Sequence, residues 1–316
     1  MKNSKSYLIK AFISFIILAF LVYKIGAGSI YDAFSKFGWI WVLPILFVQF
    51  IIVFMEGLGI KILLDHITNK RFCRLIRYYF LCWALGSFIP GKMGQLLIIP
   101  LLKDDGISVG QSTAVLIMDK LITFLVLSIM TIMALLIFFP FVSSKYLIVI
   151  IVVGFIISLF LFLSNTGRMF IKNYILRKYS ILFKGFHKNL IKLMLKYPFS
   201  IFLNTALTLA KMILSALILY MIFVAFHYPI GFYEIFFITP VGMIVSLIPI
   251  GLNGLGIREL SVVALYGYLG VPSNIVISTY FIYLLISYII VVVVISLFFG
   301  DLAKIKKNFS AIKAKL

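Results

Sequence analysis

An all-α protein that crosses a membrane several times is the fold that three observations predict. First, 64% of the 316 residues are hydrophobic and only 12% are charged, whereas a water-soluble chain has about a quarter of its residues charged. Second, six apolar runs, at 7–24, 39–60, 112–139, 147–164, 200–227 and 275–299, are close to or above the about 20 helical residues that cross a hydrocarbon layer of about 30 Å. Third, two further apolar stretches, 79–102 and 233–270, are interrupted by clusters of Pro and Gly. None of these runs alternates with the period of two that a barrel wall requires. Backbone groups left unpaired in hydrocarbon are costly, so helices are the structure that remains.

The first element begins with Lys2 and Lys5 and runs apolar from Tyr7 to Val22, followed by Ala27, Gly28 and Ser29. This resembles a secretory signal, but Lys24 closes the run and further spans follow at once, so an uncleaved first span is expected. Orientation follows from charge. Of 29 Lys and Arg residues, 21 fall in four segments: three at 2–10, five at 61–77, eight at 168–196 and five at 304–315. Basic residues near span ends remain on the cytoplasmic side, which places these four segments and both termini inside. The stretch 79–102 must then enter and return on the cytoplasmic side, and 233–270 on the outer side.

Two halves of opposite orientation result, 1–145 and 146–316, each made of two spans, a broken re-entrant hairpin and one more span. The hairpins resemble each other in sequence: Ser87-Phe88-Ile89-Pro90-Gly91 aligns with Ser246-Leu247-Ile248-Pro249. Matched Gly/Pro-broken segments in inverted halves mark the binding region of many transporters. In the second half the first two spans are joined by a basic amphipathic segment, 165–199. Within it Lys184, Lys188, Lys192 and Lys196 recur every four residues, with Phe183, Phe186, Leu190, Met194 and Tyr197 on the other side. That pattern describes a helix lying in the membrane interface with its lysines toward anionic headgroups.

Several classes of function are excluded by composition. The net charge of +20 is spread over loops and tails as orientation signals, so no nucleic acid is expected as a partner. Cys73 and Cys82 stand beside the basic segment assigned to the cytosol, which argues against a disulfide. His66, His187 and His227 have no ligand spacing, and no metal, cofactor or ATP motif is present.

Ionisable groups at membrane depth cost roughly 2.5–3.5 kcal/mol or more each and default to functional candidates. They are Glu56, Lys92, Asp119 with Lys120, Lys211, Glu234, and Arg258 with Glu259. Glu234, at a span start, reads as interfacial. Lys92 and Arg258 each follow a Pro/Gly break at the start of a new half-helix. There Gly91, Gly94, Gly254 and Gly256 allow close backbone approach, and free helical amides carry partial positive charge. A cation added at such a place suits an anion, most simply a phosphate, for which Arg supplies a planar fork and Lys a point charge. The plain structural alternative pairs Lys92 with Asp119, and Arg258 with Glu259 or Glu56.

At these residues the chain resembles the lysylphosphatidylglycerol synthase transmembrane family, also called flippase-like membrane proteins. Pro90, Gly91, Lys92 and Gly94 match the family's Pro-Gly-basic-x-Gly-acidic motif, and Asp119-Lys120 matches its Glu-Arg-like step. Gly254, Gly256, Arg258 and Glu259 match its Gly-x-Gly-x-Arg-Glu signature, the more specific of the motifs. The resemblance spans nearly the whole chain. It implies a lipid-translocating module, acting in some members on aminoacylated phosphatidylglycerol and in others on isoprenoid-linked or other lipids. Gln95 stands where the family usually has an acid, which puts a carboxylate role there in doubt. No aminoacyltransferase domain is seen, so synthesis of an aminoacyl lipid is not expected.

The expectation is therefore a plasma-membrane, flippase-like lipid transporter, not an enzyme. Its substrate is an anionic phospholipid or an isoprenoid-phosphate-linked lipid. The site is Lys92, Arg258, Gly91, Gly94, Gly254 and Gly256, with Glu56, Asp119, Lys120 and Glu259 balancing charge. The rivals are a membrane scaffold for lipid or envelope enzymes and an intramembrane lipid-phosphate enzyme.

Overall fold

The computed structural model describes residues 23, 27–68, 72–87, 95–140, 142–170, 173–174, 183–247 and 254–298. Every regular element among them is helical. In chain order these are α1 (Ala27–Ser35), α2 (Val42–Leu64, led by a 3-10 turn at Trp39–Trp41), α3 (Phe72–Gly86), α4 (Ile98–Asp104), α5 (Val109–Phe138) and α6 (Val142–Leu163). There follow α7 (Asn165–Phe170), α8 (Phe186–Lys196), α9 (Pro198–Ala225), α10 (Phe232–Val245), α11 (Ile257–Tyr268) and α12 (Ser273–Leu297).

Five of the expected crossings are helices long and apolar enough to span a membrane: Trp39–Leu64, Val109–Phe138, Lys145–Leu163, Pro198–Ala225 and Ser273–Leu297. Apart from Tyr23, the run 7–24 lies outside the described residues. On α6, Ile150, Val153, Ile156, Ile157 and Phe160 are all exposed on the protein's surface. A belt of that composition is stable against lipid and not against water, and the chain is accordingly a multi-pass membrane protein. Each interrupted stretch holds parts of two separate helices among the described residues. Residues 79–102 divide into the end of α3 and most of α4, and 233–270 into α10 and α11. The segment 61–77, expected as a basic loop, is largely helical: α2 continues to Leu64 and α3 resumes at Phe72.

The chain packs as two compact units, neither of them a continuous half of the sequence. Unit 1 holds Met1–Val53, Ala84–Gly94 and Lys211–Val294. Its core has two apolar clusters, one around Phe37, Ile45, Ile218, Phe226 and Ile282, the other around Phe223, Ile238, Val262, Tyr266 and Val276. Here α10 and α11 pack on each other. Gly242 permits it, since a Cβ there would meet Val262 Cγ1 at 2.9 Å.

Unit 2 holds Phe54–Trp83, Gln95–Ala210 and Ile295–Leu316. Its longest element, α5, opens on a reciprocal cap in which Ser108 and Gln111 each bond the other's backbone N–H, satisfying two otherwise orphaned donors. Against α5 lies the basic helix α8. It buries Leu190 and Leu193, while Met194 is 44% exposed. Leu190 is thus covered as periodicity predicts and Met194 is not, because the neighbouring helix selects which apolar side chains are covered. A side chain at Gly110 would collide with the carbonyl of Lys184, so this glycine sets how closely the Phe183–Gly185 turn approaches α5.

Candidate functional site

The sequence candidates fall in two polar clusters, one in each unit. In unit 1, Gly254 and Gly256 have φ of +78° and +89°, the left-handed region that non-glycine residues avoid. This turn delivers Gly256 as the N-cap of α11. Glu259, at the third helical position and only 1% exposed, accepts the Gly256 N–H through Oε2 at 2.6 Å. Its other oxygen accepts Arg258 Nε at 2.9 Å and Nη2 at 2.6 Å. The guanidinium also lies over the rings of Tyr280 and Tyr283, at 5.3 and 5.6 Å from their centroids. Two contacts of this kind are worth about 0.5–2 kcal/mol each. One carboxylate thus ties the helix start to the arginine, while the two α12 tyrosines restrict where the guanidinium lies. Nη1 is engaged by no hydrogen bond or ion pair among the described residues.

In unit 2 the cluster surrounds one turn of α2. Tyr79 donates its hydroxyl to Glu56 Oε2 at 2.9 Å, and its oxygen accepts from Gln95 Nε2 at 2.8 Å. Asp119 on α5, 2% exposed, accepts from Asn204 Nδ2 on α9 at 3.2 Å and from Lys120 Nζ at 2.9 Å. The lysine side chain itself is 46% exposed. Lys120 lies within electrostatic reach of Glu56 as well as Asp119, so the two chains of contacts adjoin. Glycines on α2 allow it. A Cβ at Gly57 would lie 3.4 Å from Tyr79, and one at Gly59 would lie 2.9 Å from Asn204 Nδ2.

Of the expected site residues, Glu56, Asp119 and Lys120 belong to the unit 2 cluster, and Gly254, Gly256, Arg258 and Glu259 to the unit 1 cluster. Lys92, Gly91 and Gly94 lie outside the described residues. Among the described residues Arg258 pairs with Glu259 and Asp119 with Lys120. Glu234 sits in the first turn of α10. Lys211 is buried midway along α9. His66 stacks on Tyr197 at 3.8 Å and shares a 2.5 Å hydrogen bond with Ser200 Oγ; among the described residues no group of three His, Cys, Asp or Glu side chains is arranged to hold a metal.

Sequence reasoning missed Tyr79, Asn204, Tyr280 and Tyr283. A polar asparagine within the apolar 200–227 run was a signal for one of them. The tyrosines gave none, being three among 17. Gln95 is clarified by the geometry: an ionised carboxylate cannot donate to the Tyr79 oxygen, whereas the amide does.

A family model described as the lysylphosphatidylglycerol synthase TM region matches residues 7–295. No curated protein matches the chain.

Proposed function

We propose that this chain, which belongs to the lysylphosphatidylglycerol synthase transmembrane family, moves a phosphate-bearing lipid between the leaflets of the plasma membrane. The observation that carries the reading is Arg258. It is a guanidinium placed at the start of a helix within an interrupted apolar stretch, oriented by Glu259 and two tyrosines, with its Nη1 edge unengaged among the described residues. Such an edge beside helical amides suits a phosphate oxygen. Lys92 supplies the second cation, and Glu259 supplies counter-charge. The physical benefit is replacement of headgroup hydration, whose loss in hydrocarbon costs many kcal/mol.

In this reading 79–102 and 233–270 are re-entrant hairpins of the inverted halves 1–145 and 146–316. The test is reconstitution into vesicles carrying fluorescent phospholipid, isoprenoid-phosphate-linked lipid or an uncharged lipid of equal chain length. The phosphate-bearing probes should equilibrate across the bilayer and the uncharged one should show no protein-dependent movement. Equal protein-dependent movement of all three would remove the phosphate mechanism. If no probe moves while envelope enzymes copurify with the protein, the scaffold reading takes its place.

The same reading sets the orientation. Single cysteines at Ser4, Asn189 and Lys313 should resist an impermeant thiol reagent in intact cells and react after permeabilisation, because the basic segments face the cytosol. Labelling of the Asn189 position from outside would overturn the inverted halves.

A further inference from the structure

Helix α9 is apolar along most of its 28 residues, yet its polar side chains are not spread evenly around it. Asn204, Thr208 and Lys211 recur at intervals of four and three, which places them on one face. All three are buried, Lys211 at 8% exposure. Phe202, Leu209 and Ile213 are exposed, and at about 100° per residue they lie on the opposite side. Lys211 is therefore on the face of α9 that is turned away from lipid. It stands midway between Pro198 and Ala225, about 20 Å from either end at the helical rise. That is farther than a lysine extends along a span to bring its ammonium to water.

Lys211 enters no hydrogen bond or ion pair among the described residues. The ion pairs there join Asp65, Asp105, Asp119 and Glu259 to other cations. Thr208, one turn earlier on the same face of α9, is wholly buried, and its Oγ1 has no hydrogen-bond partner. A buried ammonium beside an unpaired hydroxyl is a costly arrangement at membrane depth. One anionic group relieves both, because each of the two is a donor. A phosphate suits them, since it presents more than one acceptor oxygen to donors a helical turn apart. We propose that Lys211 is a second anion site, which holds a phosphate group within the membrane-embedded protein, with Thr208 donating its hydroxyl. This extends the proposed function from one phosphate site to two. The site rests on that reading only for its use, as a further station for a headgroup, and its occupancy is measurable without lipid movement.

The experiment uses the full chain purified in an uncharged detergent. Radioactive short-chain phosphatidylglycerol should bind saturably, and the uncharged diacylglycerol of equal chain length should not compete. Lys211→Met and Lys211→Gln should each weaken binding by about tenfold, while Lys211→Arg keeps it. The same loss should appear in an Arg258→Lys background, which sets this site apart from the one at Arg258. Without ligand, Lys211→Met should unfold at or above the wild-type temperature, since it strands no buried partner. Inorganic phosphate that competes with the same dependence on Lys211 identifies a free anion as the occupant, and failure to compete identifies the lipid headgroup. The proposal is overturned if the wild type binds neither probe, if neither charge-removing variant weakens binding, or if diacylglycerol competes equally. It is also overturned if the loss disappears in the Arg258→Lys background, or if Lys211→Met unfolds at a clearly lower temperature, the mark of a structural partner. Absence of lipid movement in vesicles with Lys211-dependent binding intact would fault the flippase reading and leave this site standing.

Discussion

Replacing Arg258 by Gln should abolish lipid movement and lower stability by about 3–5 kcal/mol, the cost of leaving a buried ionic partner unpaired. Glu259 would keep only the Gly256 N–H, in a position that is almost wholly buried. Because instability alone could silence transport, the informative variant is Arg258→Lys. An ammonium retains the charge but loses the paired Nε and Nη2 contacts to one oxygen and the planar stacking on Tyr280 and Tyr283. It should fold, with an unfolding midpoint near that of the wild type, and transport poorly. Full transport by Arg258→Lys would remove the shared-phosphate mechanism. So would additive losses on combining Lys92→Gln with Arg258→Gln, since two cations on one phosphate must show coupling. A purely structural role predicts instead that exchanging Arg258 and Glu259 restores what either single change loses.

The second large effect is expected at Asp119. Asp119→Ala leaves Asn204 with neither of its side-chain groups paired, inside a membrane-embedded unit. The loss should be about 2–4 kcal/mol, since hydrogen bonds to charged groups contribute about 1.5–3 kcal/mol each. Lys120→Gln should cost less, because Asp119 keeps its Asn204 hydrogen bond in that variant. Thermal unfolding in detergent separates the two. Similar losses for both variants would mean that the ion pair with Lys120 within α5, and not the Asn204 contact to α9, carries the contribution of Asp119.

The membrane class, five of the helical spans and the two broken stretches were legible in the sequence because they depend on local quantities. Run length against bilayer thickness, and Pro or Gly within an apolar stretch, need no knowledge of neighbours. The same holds for Glu56, Asp119 and Arg258, whose charge stands out in an apolar run, and for the Gly254 and Gly256 turn. Pairing is a different matter. Glu259 and Glu56 were alternative partners for Arg258, and the structure pairs it with the adjacent Glu259. Asp119 likewise takes its neighbour Lys120, a pairing that charge in an apolar run does not select by itself.

On α8 the apolar side read from periodicity holds at Leu190 but not at Met194, whose place in the core Leu193 takes, because periodicity predicts that an amphipathic face exists but not which neighbour covers it. Tertiary structure alone brought Asn204 to Asp119 across 85 positions, and Tyr79 between Glu56 and Gln95. These contacts depend on which helix faces lie together, and on glycines that admit them. Lipid makes no distinction among apolar faces, so in a membrane chain that choice rests on packing and on the need to pair each buried polar group.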